Sequence, residues 1–178
     1  MTTLYSEKEK EHMAKINKAP MFVRLGNILT TTLLRAGVKL VGFGKYPMYL
    51  LTVRGRKSGL PRTTPIVIIQ RNGKRCLASP YGIVDWVRNL RAAGEAILTR
   101  GRRSEKFNAR ELPPKEAALV LREDVKDGNP FARYFQVTAD SSLEEFERTA
   151  VRHPVFVLQS PLLQGQEERP SLPVHHLS

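Results

Sequence analysis

The stretch TTPIVIIQRNGKRCLAS, from Thr63 to Ser79, contains the clearest structural signal in this chain of 178 residues. Its two ends, TTPIVII and RCLAS, both read as strands, and the longer one, TTPIVII, is rich in the β-branched residues that are typical of strands. Between them stands Asn72-Gly73, a dipeptide typical of two-residue hairpin turns, because both central positions of that turn adopt a positive φ. The stretch therefore predicts two antiparallel strands that are neighbours in one sheet.

Outward from this hairpin, the pattern predicts four more strands, over residues 49–53, 95–99, 104–112 and 153–159. Helices are predicted over residues 5–18, 21–41, 84–93 and 113–126, and after Ser142, where Ser142 and Glu145 match a capping box. Strands joined by hairpins, with helices at the ends and between them, do not alternate as in a doubly wound sheet. The predicted fold class is α+β, an antiparallel β-barrel.

Length and composition predict one domain over residues 1–160, with a helical N-terminal segment (1–45) and a loose, polar C-terminal tail (161–178). The single cysteine, Cys76, excludes a disulfide within the chain and indicates an intracellular, cytoplasmic setting. The charged first twenty residues predict no signal peptide. The four histidines lack metal-ligand spacing, so we expect no metal.

The charge of the chain is strongly positive and unevenly distributed. The net charge is +12, and residues 1–62 carry 12 Lys and Arg against 3 Asp and Glu. This distribution favours an anionic partner: nucleic acid, an anionic lipid surface or a phosphorylated small molecule. Residues 21–41 read as an amphipathic helix whose polar face carries arginines, so it either docks on the core or lies on a membrane surface, and it is too polar to span a bilayer.

A loop dense in cations precedes the longer strand of the opening stretch. Between Arg54 and Arg62 it contains Gly55, Arg56, Lys57, Ser58 and Gly59. Glycines let successive backbone N–H groups point into one concavity that binds an oxyanion, and the cations and the serine add donors. The loop is not a Walker A motif, because it leads into a strand and not a helix. On the residues alone, a solvated basic hairpin remains the alternative to an anion site.

Two segments together carry a family resemblance. LLTVRGRKSGLPRTTP (50–65) and LASPYGIVDWVRNLRAAGEA (77–96) resemble the deazaflavin-dependent nitroreductase family, whose members are split β-barrel oxidoreductases that use coenzyme F-420. The resemblance implies that the phosphate of F-420 lies on the basic loop, that its acidic tail follows the basic front, and that the deazaflavin ring lies along Ala78–Tyr81. The cofactor contacts implied are Arg54, Arg56, Lys57, Ser58, Gly59, Arg62, Thr64, Pro65, Ala78, Ser79, Pro80, Tyr81, Trp86 and Asn89.

The resemblance also implies the reaction: hydride transfer from C5 of the reduced cofactor to an electron-poor acceptor, which could be an activated alkene, a quinone or a nitroaromatic. The compact SPYGIVDW loop (79–86) is shorter than that of relatives acting on nitroimidazoles, which disfavours nitroreduction. Tyr134 or solvent would supply the proton, and Ser79 would bond the acceptor or the ring. The alternatives are that Tyr134 only packs and that Ser79 only completes its own turn.

Three further functions are compatible with these residues. The same barrel could hold FMN, whose phosphate suits the same loop. It could bind a fatty acid or another lipid without a redox step. A nucleic-acid-binding domain using residues 54–62 and 100–110 is the least favoured reading, because aromatic residues are only 7% of the chain and no known nucleic-acid motif is present. The resemblance also leads us to expect a homodimer.

Overall fold

The computed structural model describes residues 46–71 and 73–161. In this part of the chain, seven strands form one antiparallel sheet, accompanied by three α-helices and a short 3-10 helix over Ala132–Tyr134. The strands are β1 (Met48–Arg54), β2 (Pro61–Val67), β3 (Ile69–Arg71), β4 (Lys74–Ala78), β5 (Glu95–Arg100), β6 (Arg103–Glu111) and β7 (Val155–Gln159). The helices are α1 (Asp85–Ala93), α2 (Pro114–Lys126) and α3 (Leu143–Arg152).

The sheet curls until its two ends meet. The strand order is β2-β1-β5-β6-β7-β4-β3, so β2 and β3 lie at opposite ends, yet only Ile68 separates them along the chain. Ile68 is fully buried, and its N–H donates to the Pro47 carbonyl instead of to a neighbouring strand. The seven strands therefore form an antiparallel split β-barrel of the α+β class, open where β2 passes into β3, as the fold prediction stated.

Two apolar cores stabilise this arrangement, one on each face of the curled sheet. The inner core is closed by α1, and its fully buried members include Leu51, Leu77 and Leu98. The outer core lies beneath α2 and α3, where Phe146 and Leu121 pack on the outward side chains of β4 and β7. Because β7 contributes to both cores, its sequence VFVLQ is a nearly continuous apolar run without polar alternation.

Local signals explain where most elements begin and end. Arg71 at the end of β3 pairs with Lys74 at the start of β4, so the predicted two-residue turn joins these strands. Gly73 in this turn has φ +72°. α1 ends at Gly94, which adopts φ +67° and donates to the Leu90 carbonyl, while both bonds of the predicted capping box begin α3. Pro114 occupies the first turn of α2. The N–H groups of a first turn have no partner within the helix, so the absence of an N–H on proline costs no hydrogen bond.

One prediction about the strands is corrected. The strand predicted from Thr63 to Ile69 is divided at Ile68 into β2 and β3, so the sheet has seven strands and not six. The predicted helices over 5–18 and 21–41 lie outside the described residues, and so does the predicted tail apart from its first residue. Among the residues described, no helix combines the length and the apolar character needed to cross a bilayer.

Candidate functional site

The loop between β1 and β2 folds tightly around its two glycines. The Gly55 N–H donates to the Leu60 carbonyl at 2.9 Å, and the Gly59 N–H donates to the Gly55 carbonyl at 2.8 Å. A Cβ at Gly55 would lie 3.0 Å from the Ser58 hydroxyl and 3.1 Å from the Leu60 carbonyl, closer than side-chain carbons normally approach. Gly59 has φ +69°, a conformation that favours glycine. Both glycines are therefore needed for this shape.

The folded loop leaves donors available for an anion. Within the described chain, no hydrogen bond occupies the backbone N–H groups of Lys57 and Ser58, and the Lys57 ammonium has no hydrogen-bonding or ion-pair partner. Arg62 lies across from them, with its Nη2 3.4 Å from the Ser58 hydroxyl. The Arg54 guanidinium extends over Gly59, 3.7 Å from where a Cβ would stand. Adjacent free N–H groups surrounded by cations are typical of oxyanion sites.

Arg56 is held by α1 and differs in this from the other cations of the loop. Its backbone N–H donates to Asn89 Oδ1 at 3.2 Å, and its Nη1 donates to the same oxygen at 2.9 Å. Nη1 also lies 3.3 Å from the carboxylate of Asp85. These bonds join the loop to α1.

An apolar cleft of about 170 Å³ opens beside β2, at the place where the barrel is split. One wall is formed by β2, the β4–α1 loop forms another, and Trp86 and the segment before the 3-10 helix close it. Its lining residues are Met48, Thr64, Pro65, Ile66, Val67, Ile69, Ala78, Pro80, Tyr81, Trp86, Asn129 and Phe131. A mostly apolar and aromatic cleft with few polar groups is typical of small-molecule sites.

The basic loop and the cleft are joined by one extended strand. Arg62 and Pro65 both lie on β2, three residues apart, which is about 10 Å along the strand. The cations therefore gather at one end of the cleft, while its interior is apolar. A flavin-like cofactor, with a planar ring joined by a short chain to a phosphate, fits this arrangement of donors.

Tyr81 lines the cleft, Tyr134 packs against Tyr81, and Arg133 lies against Tyr134; we call these three residues the tyrosine rim. The rings of Tyr81 and Tyr134 are 4.9 Å apart between centroids, and Arg133 Nη2 donates to the Tyr134 hydroxyl at 3.1 Å. Hydrogen bonds from Arg133 and then from Tyr81 lower the pKa of Tyr134, because they stabilise its phenolate. Burial, followed by the bond to Tyr134, raises the pKa of Tyr81 to about 12.

Ser79 lies beneath the cleft, and both its hydroxyl and its carbonyl are engaged by hydrogen bonds within the protein. Its side chain is fully buried, and its hydroxyl donates to the Gly82 carbonyl at 2.5 Å. Its own carbonyl lies 3.0 Å from Nδ1 of the buried His153. Burial lowers the pKa of His153, so the neutral ring with its proton on Nδ1 donates to this carbonyl. These contacts favour the alternative in which Ser79 completes its own turn, and its catalytic role stays a prediction.

The structure thus brings most of the predicted site together. Thr64, Pro65, Ala78, Pro80, Tyr81 and Trp86 line the cleft, and the six predicted loop positions from Arg54 to Arg62 surround its charged end. Asn89 bonds to Arg56, and Tyr134 lies at the rim. Six further lining residues were not among the predicted contacts, because nothing in their local pattern separates them from core positions: Met48, Ile66, Val67, Ile69, Asn129 and Phe131.

The second basic stretch, residues 100–110, is a charge-mixed sheet surface. Lys106 pairs with Glu95 at 2.8 Å, and Arg110 lies 3.7 Å from Glu116. Glu105 within the same stretch binds Arg75 at 2.9 Å. Phosphate contacts would compete with these ion pairs, which engage two of the five cations of the stretch, and this disfavours the nucleic-acid reading.

Comparison with known proteins identifies the family of the chain. The sequence profile of the F420H(2)-dependent quinone reductase family matches residues 28–158. No curated protein matches the chain. A solved structure described as an F420-H2-dependent reductase (FDR-A) is similar at 25% identity over 64% of this chain and 94% of its own, with a TM-score of 0.47. A structure described as a domain-swapped dimer is similar at 23% identity over 74% of this chain and 94% of its own, with a TM-score of 0.48.

A third similar structure is that of a putative 5-nitroimidazole antibiotic resistance protein from Bacteroides thetaiotaomicron, at 10% identity over 71% of this chain and 77% of its own, with a TM-score of 0.43. The family match spans the basic loop, the cleft and the tyrosine rim, and it decides between the two cofactors weighed from the sequence. The chain is an oxidoreductase with coenzyme F-420 as its cofactor, and it belongs to the F420H(2)-dependent quinone reductase family.

Proposed function

We propose that this protein transfers a hydride from reduced coenzyme F-420 to a quinone, which it holds in the cleft beside β2. The observation that carries the proposal is the continuity, along a single strand, of a cation-rich loop with free N–H donors and an apolar, aromatic cleft. The family match supports the quinone over the alkene and the nitroaromatic as acceptor. The shorter SPYGIVDW loop points away from nitroreduction.

The basic loop would hold the phosphate of the cofactor. The free N–H groups of Lys57 and Ser58, the Lys57 ammonium and the Arg62 guanidinium form its donor set, with Arg54 beside Gly59 adding a further positive charge. A phosphate group accepts several such charge-assisted bonds at once. When bound, the reduced cofactor supplies the hydride, and the protein binds, orients and shields the reactants.

The cleft would orient the ring and the acceptor. Trp86 is fixed against Phe156, with ring centroids 5.9 Å apart, so its exposed side presents a rigid planar surface. Apolar walls from Ile66 and Ile69 favour an uncharged, planar acceptor and exclude water from the reacting atoms. A quinone satisfies both conditions.

The tyrosine rim would supply the proton. A quinone that gains a hydride becomes a hydroquinone anion, and one proton on the reduced oxygen completes the two-electron reduction. The Tyr134 hydroxyl accepts bonds from Arg133 and Tyr81, which leaves its own O–H to donate. Its lowered pKa makes it a better acid than an ordinary tyrosine.

Two measurements test this proposal. Titration with F-420, followed by its fluorescence, should show saturable binding. Mixing the reduced complex with a quinone, a nitroimidazole or an enone, and following the return of the oxidised absorbance, should give the highest kcat/KM for the quinone. Fast turnover of the nitro compound or the enone with a quinone rate equal to the uncatalysed one would refute the proposed acceptor.

The non-redox alternatives make different predictions. A lipid binder would retain fatty acid through purification and would show no turnover of reduced F-420. A nucleic-acid-binding domain would lose affinity for DNA or RNA steeply with salt and would ignore the cofactor. Three further expectations stay predictions. Membrane contact through residues 21–41 is tested by vesicle sedimentation, a cytoplasmic location by localisation of a tagged protein, and a homodimer by light scattering.

A further inference from the structure

We propose that Asn89 is a positioning residue, which holds the anion-binding loop in shape through Arg56 and does not itself touch the cofactor. The inference rests on the proposed function, because it assigns a task within the same site. It changes the role that the sequence resemblance implied for both residues, since Asn89 and Arg56 were each expected to contact the cofactor directly.

The hydrogen bonds between Arg56 and Asn89 determine which N–H groups of the loop are occupied. One oxygen, Asn89 Oδ1, accepts both from the backbone N–H of Arg56 and from its guanidinium, at 3.2 and 2.9 Å. The backbone bond means that the Arg56 N–H points at α1 and away from the concavity of the loop. The two following N–H groups, those of Lys57 and Ser58, are then the ones left for the ligand.

The burial of Asn89 separates its side chain from the cleft. Asn89 is only 6% exposed, so its amide lies behind the loop and not on the surface of the cleft, and it is absent from the cleft lining. A buried carbonyl oxygen needs hydrogen-bond donors, and Arg56 provides them. The guanidinium is further neutralised by Asp85 at 3.3 Å, which weakens its attraction for a phosphate.

The helix α1, which carries Asn89, is held firmly in place. Val87 and Leu90 are fully buried in the inner core, and Arg91 makes two 2.7 Å bonds to the Glu111 carboxylate of β6. A helix fixed in this way is a rigid support, whereas a solvated loop rich in glycine would sample many conformations. By binding Arg56, Asn89 therefore ties the loop to a rigid helix and limits the conformations that the loop can adopt.

Two probes separate positioning from direct contact. The first is F-420, and the second is its deazaflavin chromophore without the phosphate and the tail. We expect Asn89→Leu, similar in size but without the acceptor oxygen, to weaken F-420 binding by about tenfold, the effect of about 1.4 kcal/mol, while binding of the phosphate-free chromophore stays unchanged. Arg56→Ala in the Asn89→Leu background should add little to the loss, because the two residues act as one unit.

A readout without ligand tests the loop itself. In the cofactor-free protein, hydrogen exchange of residues 55–60 should become faster in Asn89→Leu, while exchange in β6 stays as in the wild type. If Asn89→Leu does not fold, Asn89→Ser, which is smaller and too short to reach Arg56, replaces it in every arm.

Each outcome decides the question. Equal loss of both probes would show that Asn89 contacts the ring, and loss of neither would show that the loop keeps its shape without it; either result overturns the inference. Unchanged loop exchange overturns it as well. A wild-type protein that binds neither probe would refute the proposed function, and in that case the exchange experiment still tests the link between Asn89 and the loop.

Discussion

Replacing Lys57 by methionine tests the anion site most directly. The change removes the charge of the ammonium group and keeps most of the aliphatic side chain. Lys57 is exposed and has no hydrogen-bonding or ion-pair partner within the described residues, so its ammonium is available for a phosphate without first breaking a bond. Arg56, in contrast, is already engaged by Asn89 and Asp85.

The expected loss follows from this environment. A hydrogen bond to a charged group contributes about 1.5–3 kcal/mol, and exposure to water reduces this to about 1–2 kcal/mol. The dissociation constant for F-420 should therefore rise by about 5–30-fold. Salt screens exposed charges, so the difference from wild type should shrink at about 1 M salt, where the Debye length is about 3 Å.

Fluorescence titration at low and at high salt measures both effects. Lys115→Met is the matched control, because Lys115 is an exposed lysine on α2, away from the loop, and it should bind F-420 like the wild type. The free energy of unfolding should be unchanged in both variants. Binding of Lys57→Met within about twofold of wild type at low salt, or an equal loss in the control, would refute the assignment of the phosphate to this loop.

Four further predictions concern the loop, the rim and the core. Gly55→Ala should weaken F-420 binding and lower the free energy of unfolding in urea by about 1–3 kcal/mol, because its Cβ would meet the Leu60 carbonyl; a fully stable, tightly binding variant would contradict this loop geometry. Tyr134→Phe should reduce quinone turnover by about 100-fold without changing F-420 affinity, and it should remove an alkaline decline of the wild-type rate that begins below pH 10.0; an unaltered pH profile would exclude Tyr134 as the acid. Phe156→Ala should lower the free energy of unfolding by about 3–5 kcal/mol in urea denaturation, since the ring is 1% exposed, and a loss under about 1 kcal/mol would contradict its place in the inner core. Because the pKa of His153 is lowered from 6.5 in the folded protein, the unfolded chain binds the proton first, so stability should fall as the pH drops below about 6.5; His153→Gln should flatten this slope, and an equally steep slope in the variant would assign it to other groups.

The local features of the fold follow from short stretches of sequence. Asn72-Gly73, Gly94 and the Ser142–Glu145 pair each act within a few residues, so the hairpin, the end of α1 and the start of α3 were predicted close to their observed positions. The basic loop is of the same kind, since its glycines and cations are adjacent in the chain. The resemblance, carried by two segments, predicted the family and the cofactor, and the family match confirms both.

The site as a working unit depends on contacts between distant residues. Neither local propensity nor spacing indicates that a strand predicted as continuous breaks at Ile68, because the break comes from closure of the sheet upon itself. The same closure brings Met48 and Asn129 to one cleft, although they are far apart in the chain. Composition identifies Arg56 as one more cation of a basic loop, and only its two bonds to a buried asparagine 33 residues later give it a different role.

The sequence by itself determined most of the strands, the turns, the charged loop and the family, because each depends on residues that are neighbours in the chain. The tertiary structure decided which cations remain free for an anion, which tyrosine is made more acidic, and where the barrel opens. These properties depend on burial and on hydrogen-bond partners, and a side chain acquires both only when segments distant in the chain pack together.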